Sequence, residues 1–252
     1  LSNQQLQGRV AVVTGASRGL GKQMAEALAA EGAAVALVAR NRELLAAVQE
    51  GISRRGGKAA AFIADVACEP DVAALAERIR AELGPPDILI NNAGINVRKP
   101  IHEFTLEEWR RVMQTNLDGP FLFTRALIPG MIERKFGRII NMTSIMSHVS
   151  LPGRAAYSAS KFGLLGMTKA LALELAPYSI TVNGISPGPF ATEMNTALMQ
   201  DPARNAEFIS KIPLGRWGRV EEVGALAVFL CSEAAGFITG ADILIDGGWT
   251  AQ

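Results

Sequence analysis

Cysteine and histidine are scarce in this chain, with two of each among 252 residues. Cys68 and Cys231 stand far apart, in neither ligand nor redox spacing, which predicts two inert thiols and a reducing compartment. With only His102 and His148 beside them, no zinc or iron centre built from His and Cys is expected, and the sequence is read as metal-free. Charge of either sign is not in excess. Lys and Arg total 25 against 24 Asp and Glu, a formal +1, so neither nucleic acid nor an anionic membrane surface is an expected partner. No apolar run reaches the ~18–20 residues of a membrane span. Residues 1–5 show no basic stretch leading into an apolar one, so a cytoplasmic protein is expected. Charged residues are 19% and apolar residues 49%, which suits a sizeable core and one large α/β domain.

What is present is an alternation of strands and helices. Residues 10–13 form a short apolar run that leads into Thr14-Gly15-Ala16-Ser17-Arg18-Gly19-Leu20-Gly21 and then into a helical pattern. Strand, glycine loop and helix in that order make a place for a pyrophosphate, held by free N–H groups at a helix N-terminus. The second run, 34–39, ends at Arg40 with no acid to hold a ribose 2′-hydroxyl. Arg40 and Arg18 can instead meet a 2′-phosphate, which favours NADP over NAD. Strand 59–64 ends at Asp65-Val66, where Asp65 either contacts an adenine edge or caps a turn. A helix over 71–83 follows, then strand 88–90, which leads to Asn91-Asn92-Ala93-Gly94. That segment reads equally as a close cofactor passage or an Asn/Gly turn. A long helical stretch, 106–132, carries Asn116 near its middle and Gly119-Pro120 just after, so a kink is expected. Strand 137–143 leads to Ser144, and strand 179–185 to Pro187-Gly188. An insertion over about 190–216 is expected to be a lid with few anchors, and a helix over 220–231 and a strand at 243–245 complete the pattern. Mostly continuous apolar strands predict a doubly wound, Rossmann-type parallel sheet of about seven strands in a single domain spanning 1–252. The residues singled out gather at the strands' carboxyl ends, where such sheets bind ligands.

Tyr157 and Lys161 are four apart and share a helix face. A phenol of pKa ~10 shuttles protons poorly at neutral pH, and a cation on its face is expected to lower that value. A hydroxyl from Ser144 could then hold a carbonyl or alkoxide oxygen beside it. Taken alone, the pair is an ordinary surface pair and Ser144 a hydroxyl that satisfies a turn.

Taken together, the motifs resemble the short-chain dehydrogenase/reductase family over essentially the whole chain. They are Thr14-Gly15-x3-Gly19-x-Gly21, Asn91-Asn92-Ala93-Gly94, Asn116, Ser144 with Tyr157-x3-Lys161, Pro187-Gly188 with Thr192, and Asp246-Gly247-Gly248. Within the family, the pattern resembles 3-oxoacyl-thioester reductases, and 187–194 and 215–218 resemble sugar-acid dehydrogenases of the gluconate 5-dehydrogenase kind. The resemblance implies an NADP(H)-dependent oxidoreductase that interconverts a ketone and a secondary alcohol. Tyr157 would be the acid or base, Lys161 would depress its pKa and hold the nicotinamide ribose, and Ser144 would polarise the carbonyl. Asn116 would anchor a relay water through its side chain and a freed backbone carbonyl. The cofactor would be held by Gly15, Ser17, Arg18, Gly19, Leu20, Gly21, Arg40, Asp65, Val66, Asn92, Ala93, Gly94, Tyr157, Lys161, Pro187, Gly188 and Thr192. The substrate would be a small carbonyl or alcohol compound. It would be lined by Asn96, Val97 and Arg98, by Ile145, Met146, His148 and Val149, and by Phe190, Met194, Leu198 and Met199. The mostly apolar lining suits a hydrophobic ketone, while Arg98 and His148 keep an anionic substrate open. Apolar residues over much of the helix after Lys161, such as Phe162, imply association between subunits, and the resemblance implies a homotetramer. The alternatives are an NAD-linked sugar-acid or polyol dehydrogenase, and a non-catalytic NADPH-binding scaffold.

Overall fold

Runs of Val, Ile, Leu and Ala too short for helices become strands buried on both faces. The computed structural model describes residues 4–252, apart from the side chains of Met194 and Ala197. Among these residues the order is β1 (Val10–Thr14), α1 (Gly19–Ala30), β2 (Ala34–Ala39), α2 (Arg42–Arg54), β3 (Lys58–Ile63), α3 (Glu69–Leu83) and β4 (Ile88–Asn91). Then come α4 (Leu106–Met113), α5 (Gly119–Arg134), β5 (Gly137–Met142), α6 (Ala155–Leu175) and β6 (Ile180–Pro187). The chain closes with α7 (Thr196–Met199), α8 (Pro202–Ile209), α9 (Val220–Cys231) and β7 (Asp242–Ile245). The seven strands form one parallel sheet in the order β3-β2-β1-β4-β5-β6-β7. Chain direction across the sheet reverses between β1 and β4, which makes their carboxyl ends the natural ligand crevice.

Local chemistry sets the helix boundaries. Asn41 Oδ1 accepts from Leu44 N at 2.9 Å to start α2, and Thr105 with Glu108 forms a reciprocal capping box at α4. Gly84, at φ +105°, and the following Pro85 end α3. One face of the sheet is covered by α1, α2 and α9 through Met24, Leu28, Leu45, Ile52 and Val223. The other is covered by α3, α5 and α6 through Leu75, Ile79, Phe123, Leu127 and Leu175. Burying a side chain of this kind stabilises by about 1.5–3 kcal/mol.

Two expectations change here. The stretch over 106–132 is two α-helices joined by a π-helical turn, Gln114–Asp118, with Asn116 fully buried in it. The interruption is an underwound, wider turn inserted in the helix. The region from 190 to 216 is also better anchored than expected. Phe190 and Ile212 are buried, and just beyond its end Trp217 stacks on Phe208 at 4.7 Å and donates from Nε1 to Asn205 Oδ1 at 2.8 Å. Bulky apolar side chains there form a small core of their own.

Candidate active site

The glycine loop is locked to β4 by side chains. Thr14 Oγ1 accepts from Asn92 N and Ala93 N, both at 3.0 Å, and donates to Ile90 O at 3.3 Å. Asn92 Nδ2 donates to Thr14 O at 2.9 Å and Gly15 O at 3.2 Å. The side-chain NH2 of Asn92 is therefore engaged by the loop, which leaves its Oδ1 and backbone carbonyl for a ligand. A Cβ on Gly21 would lie 2.3 Å from both Asn92 Nδ2 and Gly15 O, which is why glycine stands there. Gly21→Ala is expected to destabilise by about 1–3 kcal/mol through overpacking. A chain of this size would then melt lower by about 2–4 °C per kcal/mol, measurable by thermal unfolding.

The rest of the cradle fits a dinucleotide. Gly19, at φ +55°, has open space over it, with Thr192 Cγ2 its nearest neighbour at 4.0 Å. Arg18, the N-cap of α1, makes no side-chain cap, so the helix N-terminus stays free for an anion. Ser17 and Leu20 lie in this loop, partly exposed. Arg40, 74% exposed, approaches Asp65 at 3.5 Å, bringing two separately expected contacts to one corner. Asp65 Oδ1 also accepts from Ala67 N at 3.0 Å, so the turn-capping role holds as well. Val66 is buried under Gly119, where an added Cβ would meet Val66 Cγ2 at 3.0 Å. Its side chain faces the core, and only its backbone is left for a ligand. Gly188 follows β6 and Pro187, and packs so tightly on Asp246 that an added Cβ would lie 2.6 Å from its Cβ. Gly94 keeps a passage open, since a Cβ there would sit 3.4 Å from Asn116 Oδ1 and 3.7 Å from Lys161 Nζ.

Ser144, Tyr157 and Lys161 come together as expected. Ser144 caps a short 3-10 turn, Ile145–Ser147, with Oγ accepting from Met146 N at 3.1 Å, and its side chain favours the Tyr157 phenolate. Lys161 is buried, donates Nζ to the Met142 carbonyl, and stands 5.6 Å from the centre of the Tyr157 ring. Burial lowers the Lys161 ammonium to about 8, with the Asp242 carboxylate opposing the shift. In the free protein the Tyr157 phenol is not depressed overall. Burial raises the Tyr157 phenol, and what opposes it is the Ser144 hydrogen bond, then Arg154, then Arg98.

Asn116 interrupts its helix as expected. Its Oδ1 accepts from Ile95 N at 2.8 Å, and Nδ2 donates to Ile95 O at 2.9 Å and Ser160 Oγ at 3.0 Å. Ser160 Oγ in turn donates to the Tyr157 carbonyl at 2.7 Å. The side chain is a clamp between the 93–96 loop and α6.

The apolar lining is largely elsewhere. Ile145, Met146 and Phe190 are buried at 7%, 4% and 4% exposure, while Arg98, His148 and Val149 face solvent. Leu198 and Met199 are partly exposed, and the Met194 side chain lies outside the described residues. Arg154 was not singled out from the sequence. It is the N-cap of α6 and makes no cap bond, and a cation at a helix's positive end is unfavourable. That placement, three residues before the tyrosine, was the available signal.

A parallel sheet with a glycine-loop crevice and a Ser-Tyr-Lys cluster at the same edge defines a dinucleotide-linked oxidoreductase. Residues 15–250 match the family model described as enoyl-(acyl carrier protein) reductase. The chain is 41% identical over 247 residues to gluconate 5-dehydrogenase of Gluconobacter oxydans, spanning 98% of this chain and 96% of that one. It is 39% identical over 245 residues to a 3-oxoacyl-[acyl-carrier-protein] reductase of Aquifex aeolicus, spanning 97% and 98%. The crystal structure of a gluconate 5-dehydrogenase from Burkholderia cenocepacia in complex with NADP and tartrate superposes with TM-score 0.94 at 38% identity, covering 99% and 98%. The chain belongs to the short-chain dehydrogenase/reductase family and is an oxidoreductase of it. Among the described residues, no helix is long and apolar enough to cross a membrane.

Proposed function

We propose that this chain is an NADP(H)-dependent dehydrogenase that interconverts a ketone and a secondary alcohol on a small polar acid of the sugar-acid kind. The observation that carries the substrate class is the pair of arginines acting on the catalytic tyrosine. Arg154 and Arg98 both favour the Tyr157 phenolate, and the Arg154 guanidinium is lowered first by burial and then by the charge of Arg98. Among the described residues, neither has a carboxylate within 4.0 Å. Two guanidinium groups without a carboxylate partner, both acting on the tyrosine, suit a substrate that brings its own carboxylate. The burial of Ile145, Met146 and Phe190 removes the surface that a hydrophobic ketone would use. The relatives named for gluconate support the same reading.

When bound, the nicotinamide supplies or accepts hydride. The chain's own part is orientation and proton transfer. Ser144 holds the substrate oxygen, Tyr157 gives or takes its proton, and Lys161 holds positive charge next to the ring. Arg18, Arg40, the glycine loop, Ala93, Pro187 and Thr192 are the proposed NADP contacts, with Asn92 and Gly188 shaping them. Exposed Phe162 and Leu173 on α6 suit association with further copies, proposed as a homotetramer.

The test is turnover with NADPH and NADH over a panel of keto-sugar acids, their neutral polyol counterparts and 3-oxoacyl thioesters. NADPH turnover confined to the acids is the expected result, and turnover confined to thioesters overturns the substrate class. Arg40→Ala should raise KM for NADPH about tenfold with little change for NADH, on the strength of one charge-assisted hydrogen bond. Equal changes for both cofactors would make Arg40 a surface charge.

A further inference from the structure

Asp242 opens β7, and its side chain is only 5% exposed. A buried carboxylate is costly unless it is paired and hydrogen-bonded, so its partners deserve a census. Oδ2 lies 2.7 Å from His148 Nε2 and accepts from Ser186 Oγ at 2.8 Å. Oδ1 accepts from Thr143 Oγ1 at 2.6 Å. Every one of these partners leads to Ser144. Thr143 immediately precedes it, and His148 follows the short turn that Ser144 caps. The Ser186 hydroxyl is also 3.0 Å from the Ser144 carbonyl. Gly184 makes the space, since a Cβ there would lie 2.1 Å from Asp242 Oδ1. The sheet does not depend on this carboxylate, because β6 and β7 pair through their backbones.

We propose that Asp242 is a positioning residue of the active site, strapping both ends of the Ser144 segment to β7 and serving as the anionic counterweight to Lys161. The inference rests on the reading that Ser144, Tyr157 and Lys161 carry the chemistry. The charged or titratable groups facing this network are His148 from the turn after β5, and Lys161 and Tyr157 from α6, with Arg154 and Arg98 beyond the tyrosine. Thr143 and Ser186 do not titrate in the working range.

The sign follows from the charges. The Asp242 anion favours the charged form of Lys161, which stands at about 8 with that help. Without the anion, Lys161 loses its proton at lower pH, and the alkaline limb of the rate profile moves down. A merely loosened turn would lower rates at every pH and leave the limb in place.

The experiment is the pH profile of kcat for alcohol oxidation with NADP+, using the full chain and the acid substrate found above. Asp242→Asn, nearly isosteric, is expected to lose about tenfold or more in kcat. Its alkaline limb should fall by roughly one pH unit, with KM for NADP+ unchanged. Asp242→Glu, which keeps the charge but crowds Gly184, should lower kcat with the limb in place. His148→Gln should not move the limb down, because it leaves the Asp242 anion in place. A limb for Asp242→Asn that superimposes on the parent overturns the proposal. If that variant does not fold, a downward shift in His148→Gln, or in Asp242→Glu, overturns it instead. Tyr157→Phe run in parallel separates the two claims: undiminished turnover there defeats the underlying assignment, not the role of Asp242.

Discussion

Tyr157→Phe is expected to lower turnover by about 10²- to 10⁴-fold, the usual contribution of a positioned acid or base. Cofactor affinity should change little. The substitution removes one oxygen, and leaves the ring and the Lys161 ammonium 5.6 Å from its centre. Because burial raises the phenol, the protonated form persists through neutral pH, which suits ketone reduction. Oxidation calls for the phenolate, so its rate should rise with pH until Lys161, at about 8, begins to lose its charge. Rates in both directions across pH 6 to 10, with cofactor affinity by fluorescence titration, check the prediction. Turnover that survives the substitution would assign the chemistry elsewhere. A parent chain that binds NADPH but turns over no member of the panel would favour a scaffold.

Replacing Arg154 and Arg98 together by alanine should raise KM for an acid substrate roughly 10- to 100-fold, the worth of one or two hydrogen bonds to a charged group. The neutral polyol counterpart should lose almost nothing. The two guanidinium groups repel each other, so their removal relieves strain in the free protein while withdrawing the attraction felt by a bound carboxylate. Arg154→Ala should also relieve the N-terminus of α6, where the arginine opposes the helix dipole, and stability should hold or rise slightly. An equal loss on acid and neutral substrates would mean that the arginines act on the tyrosine rather than on the substrate. KM and kcat measured separately for the two substrates decide this.

Much of this was legible in the sequence, for reasons specific to each part. Strand β2 and helix α9 stand where the apolar pattern placed them, because an unbroken run of six small aliphatics and a helix of period 3.6 leave few alternatives. Ser144, Tyr157 and Lys161 meet because strand ends and helix starts fix their directions. What was not legible involved choices that only packing makes. Asn92 and Asn116 carry amides that would serve a ligand or a neighbouring backbone equally well, and the fold gives both to the backbone. Val66 and Ile145 sit at strand ends yet face the core. The depression of Tyr157 by Lys161 is a matter of where the ammonium lands along the ring, and a spacing of four residues does not settle that. Asp242 and Arg154 carried no motif at all, and their meaning comes from segments far apart in sequence.

The π-helical turn at Gln114–Asp118 has a final consequence for how this chain can change. Such a turn holds one residue more than regular winding, and each residue rotates a helix by about 100°. Deleting any residue of the five would restore ordinary winding and swing either Asn116 off Ile95 or the buried face of α5 off the sheet. An insertion in a surface loop leaves both contacts in place, but in this stretch length itself carries the register of α5 on the sheet.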